Sequence, residues 1–147
     1  MFAQLLYGAA LVAITVAING AVLVWCVRRL RLNSELVAGS FVGGILLLSR
    51  LATWVILGHL LAIMIWGGFY AWHGVVPSAE LGFYFSAVTY ATIGYGDIVP
   101  PESWRLLAAM EGLTGILMCT WSGGFFFAVV SRMYLPASGS ADGQRWG

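Results

Sequence analysis

With 147 residues, 61% of them hydrophobic and only 9% charged, the chain departs from a soluble domain, in which about a quarter of the residues carry charge. It reads as an integral membrane protein, and a net charge of +1 gives nucleic acid no electrostatic reason to bind. Cys26 and Cys119 both lie in apolar segments and read as packing residues, so neither a disulfide nor a metal pair is suggested.

Residues 5–27 are continuously apolar, about the 20 residues that cross a ~30 Å hydrocarbon core, and end at Arg28, Arg29 and Arg31. The basic cluster follows the apolar run instead of preceding it, which argues for a retained helix over a cleaved signal peptide. Asn33-Ser34-Glu35 reads as a break. The stretch 36–49 is too short to span and carries small residues at i,i+4, Gly39 with Gly43 and Ser40 with Gly44. It either lies along the interface or extends the following helix.

Arg50 opens the second span, which runs to about Trp72, with Trp54 near one end and Trp66, Tyr70 and Trp72 near the other, as interfacial aromatics fall. Asn19 lies nine residues before Arg28, and His59 nine residues after Arg50. On antiparallel helices both would sit about 13.5 Å into the membrane, and Gly20 and Gly58 beside them permit close approach. Two arrangements follow: an Asn19 to His59 contact, within one subunit or between neighbours, or each side chain bonded to local backbone.

Residues 73–77 turn the chain, and Ser78 is a candidate N-cap with Glu80 in the first turn of a helix over 79–91, about 20 Å long. That length descends only part-way into a bilayer. It leads into Thr92-Ile93-Gly94-Tyr95-Gly96-Asp97, a polar, glycine-rich run between two spans. Two glycines flanking an aromatic residue open dihedrals closed to other residues, so successive carbonyls can point to one side. At membrane depth such non-helical backbone is tolerated only where protein buries it or where it lines a watery path.

The run resembles the selectivity filter of the potassium channel family, Thr-Val/Ile-Gly-Tyr-Gly-Asp. The resemblance implies that the carbonyls of Thr92, Ile93, Gly94 and Tyr95, with the Thr92 hydroxyl, bind K⁺ in place of its hydration shell. It makes 79–91 a pore helix whose negative dipole end favours a cation below the filter. Gly96, Asp97, Val88, Thr89 and Tyr84 become filter-support positions. Some members carry a Glu that pairs with the filter aspartate where this chain has Val88; Tyr84 is then a candidate partner for Asp97.

After the linker 98–105 the last span runs from about Leu106 to Val130 and closes at Arg132 and Tyr134; by resemblance it is the inner helix. Gly115 is a candidate hinge, with Gly112 and the Gly123-Gly124 pair as rivals, and close helix packing is the competing explanation. Glu111 lies within this span, where a carboxylate is a functional candidate. It is protonated, braces the back of the filter, or faces an aqueous crevice.

The expected fold is an all-α membrane protein: outer helix, pore helix with re-entrant filter loop, inner helix, and one extra N-terminal transmembrane helix. Residues 1–31 form that extra helix and its basic end, 32–49 a cytoplasmic or interfacial linker, 50–134 the channel pore domain and 135–147 a flexible cytoplasmic tail. With the N-terminus and filter mouth outside and the C-terminus in the cytoplasm of a multi-pass plasma-membrane protein, every arginine but Arg105 falls inside. One filter strand per chain cannot surround an ion, so the resemblance implies a C4 homotetramer, each chain partnered by three identical subunits and by lipid. The expected function is passive, K⁺-selective conduction, without enzyme chemistry or a cofactor beyond the transported ion. The alternatives are a weakly selective cation channel and the membrane subunit of a potassium uptake system.

Overall fold

The computed structural model describes residues 2–32 and 41–134. The expected break at 33–35, the small residues at 39 and 40 and the polar tail from 135 lie outside the described residues. Among the described residues four α-helices follow one another: α1 (Phe2–Leu32), α2 (Phe41–Trp72), α3 (Ala79–Tyr90) and α4 (Arg105–Tyr134), with a 3₁₀ turn at Glu102–Trp104 before α4. Among the described residues three helical stretches, Phe2–Arg31, Phe41–Trp72 and Glu102–Met133, are long and apolar enough to cross a membrane. In each, only 28% of the most apolar window is buried within the chain. The remaining apolar surface faces outward, which water would oppose and lipid or further protein would accept.

The helix α2 starts nine residues before Arg50, so 41–49 extends the second span downward instead of lying apart as a linker. Its Phe41–Trp72 sequence offers no proline and no polar cluster to stop the helix. Ser49 does not break it either: its carbonyl accepts from Thr53 Oγ1 at 2.9 Å, one turn on. The short helix α3 begins where its cap dictates. Ser78 is extended, φ −146°, and its Oγ accepts from the Leu81 amide at 3.2 Å.

Packing fixes the directions. Near one end Leu11 of α1, Trp66 and Tyr70 of α2, Phe85 of α3 and Leu107 of α4 share a core; near the other, Leu23 and Cys26 meet Leu51, Val55 and Val129. Thus α1 and α4 run the same way and α2 runs against both. Between the two cores, Ala62, Tyr90 and Met118 pack at the C-terminal end of α3. The short helix lies on α2 where Gly67 and Gly82 cross: a Cβ on Gly82 would stand 2.6 Å from the Gly67 carbonyl oxygen. Only glycine permits so close an approach.

Candidate functional site

The site grows from the C-terminal end of α3. The helix closes with the Ala91 amide on the Ala87 carbonyl at 3.0 Å, and the next amides fold back on the same turn. Thr92 N–H donates to the Thr89 carbonyl at 2.9 Å, and Ile93 and Gly94 both donate to the Val88 carbonyl, at 2.9 and 3.1 Å. Val88 therefore serves through its backbone oxygen, a role its apolar side chain does not advertise.

Backbone dihedrals alternate beyond that point. Thr92, Gly94 and Gly96 have φ of 59°, 54° and 77°, in the left-handed region, while Ile93 and Tyr95 between them do not. Each change of hand turns the following peptide plane, a pattern that lets successive carbonyls share one side where a regular extended strand alternates them. Among the described residues, Thr92 is the one non-glycine with positive φ. A β-branched residue there is strained by roughly 1–3 kcal/mol, and such strain gathers at functional sites. No hydrogen bond among the described residues ends on the carbonyls of Thr92, Ile93, Gly94 or Tyr95. The run lies open on one chain, with Ile93 53% and Tyr95 69% exposed.

At the far end of the run Tyr84 Oη donates to Asp97 Oδ2 at 2.7 Å, and the Ile98 amide donates to Asp97 Oδ1 at 3.1 Å. The bond to this carboxylate raises the Tyr84 phenol above its ordinary pKa. Behind α3 stands Glu111, fully buried at 0% exposure. Its Oε2 accepts from Tyr70 Oη of α2 at 2.7 Å, and its Oε1 lies 2.5 Å from Ser86 Oγ of α3, which also reaches the Ile63 carbonyl of α2 at 3.0 Å.

A family model described as an ion channel matches residues 58–132, just over half of the chain. The chain belongs to the ion channel family. The match takes in the C-terminal part of α2 from residue 58, all of α3, the run 92–97 and nearly all of α4; α1 lies outside it. No curated protein and no solved structure matches the chain.

Within this channel domain a second polar group sits at the inner end of α3. His59 of α2 places Nδ1 3.0 Å from Tyr90 Oη and Nε2 3.0 Å from Ser122 Oγ of α4. Within one chain no hydrogen bond joins Asn19 to His59. Asn19 Nδ2 donates instead to the Thr15 carbonyl at 3.0 Å, the local-backbone arrangement, while Thr15 Oγ1 accepts from Trp66 Nε1 at 2.9 Å. His59 is turned away because two hydroxyls, on α3 and α4, satisfy both ring nitrogens. Neither hydroxyl partner has a sequence signal; Tyr90 lies 31 residues from His59 and Ser122 63 residues away.

Gly115 of the channel's last helix touches the site directly. A Cβ there would lie 2.0 Å from the Tyr90 carbonyl oxygen, so α4 packs on the end of α3 closely enough to require a glycine. At Gly123 and Gly124 an added Cβ would meet nothing within 4 Å in the chain.

Proposed function

We propose that four copies of this chain surround a common axis and conduct K⁺ selectively and passively, with residues 92–97 as the selectivity filter. The observation that carries the reading is the division of labour in that backbone. Its amides turn back onto α3, its dihedrals alternate in hand, and its carbonyls keep their lone pairs unengaged. Four such strands offer rings of oxygens to a dehydrated cation, which is how carbonyl filters replace the hydration shell of K⁺. The exposed faces of Ile93 and Tyr95 are then the surfaces that neighbouring subunits cover. The C-terminal end of α3, with its partial negative charge, points to the inner mouth and favours a cation there.

The arrangement requires no cofactor, and K⁺ is cargo. With Arg28, Arg29, Arg31, Arg50 and Arg132 on the cytoplasmic side of a plasma membrane, the filter opens outward. The purified full chain in liposomes tests the reading by flux and reversal potential in K⁺, Rb⁺, Na⁺ and Ba²⁺. K⁺ and Rb⁺ are expected to pass, Na⁺ to be excluded and Ba²⁺ to block. Equal permeation of K⁺ and Na⁺ would replace the proposal with a weakly selective cation channel, and flux that needs ATP or a second protein would replace it with an uptake subunit.

A further inference from the structure

We infer that Glu111 stands within the membrane as a neutral carboxylic acid, and that the hydrogen it gives to Ser86 fixes where α3 sits behind residues 92–97. The inference rests on reading that run as the filter. It makes Glu111 a positioning residue, because none of its hydrogen bonds reaches the run.

Three oxygen to oxygen contacts meet at this node. Ser86 Oγ lies 2.5 Å from Glu111 Oε1 and 3.0 Å from the Ile63 carbonyl oxygen, and Tyr70 Oη lies 2.7 Å from Glu111 Oε2. All three separations lie in hydrogen-bond range, and the two shorter ones are closer than oxygens come without a hydrogen between them. The hydroxyls of Ser86 and Tyr70 bring one hydrogen apiece. An ionised Glu111 brings none, and one of the two Ser86 contacts then sets lone pairs against each other. A protonated Glu111 brings the third. Glu111 donates from Oε1 to Ser86 Oγ, Ser86 donates to the Ile63 carbonyl, Tyr70 donates to Oε2, and all three contacts become hydrogen bonds.

The surroundings agree with this count. Glu111 is fully buried, its side-chain partners are a serine and a tyrosine, and among the described residues no basic side chain stands against it. The titratable groups that face it are Tyr70 from α2 and, farther off, Tyr90 from α3, neither of them a cation. A lone carboxylate is among the costliest groups to bury, whereas a neutral acid with its oxygens and hydrogen all engaged is tolerated. The consequence for the filter is direct. Ser86 lies two residues before Val88, whose carbonyl holds the Ile93 and Gly94 amides. A hydrogen-bonded line from α4 through α3 to α2 thus sets the height of the peptide from which the run hangs.

The test uses the full-length chain in liposomes, as wild type, Glu111→Gln, Glu111→Ala and Ser86→Ala. Glutamine offers a donor toward Ser86 and an acceptor toward Tyr70, so Glu111→Gln is expected to keep the wild-type K⁺ to Na⁺ permeability ratio. Glu111→Ala is expected to raise relative Na⁺ permeability by roughly tenfold or more, and Ser86→Ala by less, as buried partners lose their bonds. Raising the pH until Glu111 ionises should degrade selectivity in the wild type and leave the Glu111→Gln profile flat. Infrared spectra should show a carboxylic acid C=O band in the wild type that Glu111→Gln lacks. Absence of that band at neutral pH, or a glutamine variant as leaky as the alanine one, overturns the inference. If Glu111→Ala does not assemble, the infrared band and the Ser86→Ala ratio decide. Wild-type protein that passes no K⁺ overturns the filter reading instead, while the band still reports whether Glu111 is protonated.

Discussion

The two sides of α3 handle polar atoms in opposite ways. On one side, residues 92–97 lie exposed, with left-handed φ at Thr92, Gly94 and Gly96 and with carbonyls that accept nothing. On the other, Glu111, Ser86, Tyr70, His59, Tyr90 and Ser122 are paired with one another across three helices, and no buried side-chain polar atom among the described residues lacks a partner. A strand that must hold bare acceptors needs a rigid backing, because nothing internal fixes those acceptors. The fully paired side supplies that rigidity.

Substitutions on each side break the contrast differently. The largest effect belongs to Gly115→Ala, which would drive a methyl group to within 2.0 Å of the Tyr90 carbonyl. Overpacking costs about 1–3 kcal/mol or more, and here backbone must move; the proposed tetramer is expected to fail on gels or melt far below wild type. Gly123→Ala, with open space around it, should leave folding unchanged, and equal losses at both positions would refute the packing account. On the bare side, Gly94→Ala and Gly96→Ala would hold an L-residue in the left-handed region at about 1–2 kcal/mol each. Assembly is expected to survive while selective K⁺ flux is lost, which reversal potentials would register.

Smaller effects sharpen the comparison. His59→Leu strips two hydroxyls of a partner and is expected to lower stability by about 1–3 kcal/mol, read by thermal unfolding in detergent. Filter selectivity should change less than with Glu111→Ala, since Tyr90 lies below the Val88 attachment. The smallest effect is that of Tyr84→Phe at the exposed mouth, which removes the bond to Asp97. It is expected to raise the K⁺ concentration needed to protect the proposed tetramer against heat, since a ligand of the folded form stabilises it and K⁺ is the ligand proposed. The folded phenol titrates above its ordinary value. Its contribution is therefore complete below about pH 10 and is lost as pH climbs through the raised value, so the wild type should converge on Tyr84→Phe only in strong alkali.

Sequence alone makes the framework legible. Apolar run lengths mark three spans, Ser78 marks the start of α3, and Gly94 and Gly96 mark a backbone of unusual hand. Tyr84 stands out once Val88 leaves Asp97 without the acidic partner seen in some family members. What stays hidden is non-local or carried by backbone. Glu111 finds Tyr70 and Ser86 at separations of 41 and 25 residues, which no local period encodes. Thr92 announces nothing of its positive φ, since β-branched residues avoid that region. The same holds for 41–49, where a small-residue pattern suits an interfacial segment and a helical extension equally; propagation of the long α2 helix decides it.

That extension makes α2 a helix of 32 residues, about 48 Å long against a hydrocarbon layer of ~30 Å. Tilt alone does not absorb the excess, since spans seldom lean beyond roughly 40°. The segment below Arg50 is then a reserve of apolar length that thick bilayers draw in and thin ones leave in the headgroups. Lipid chain length becomes a mechanical input to the helix against which α3 is braced, and conduction by this channel should respond to the thickness of the membrane that holds it.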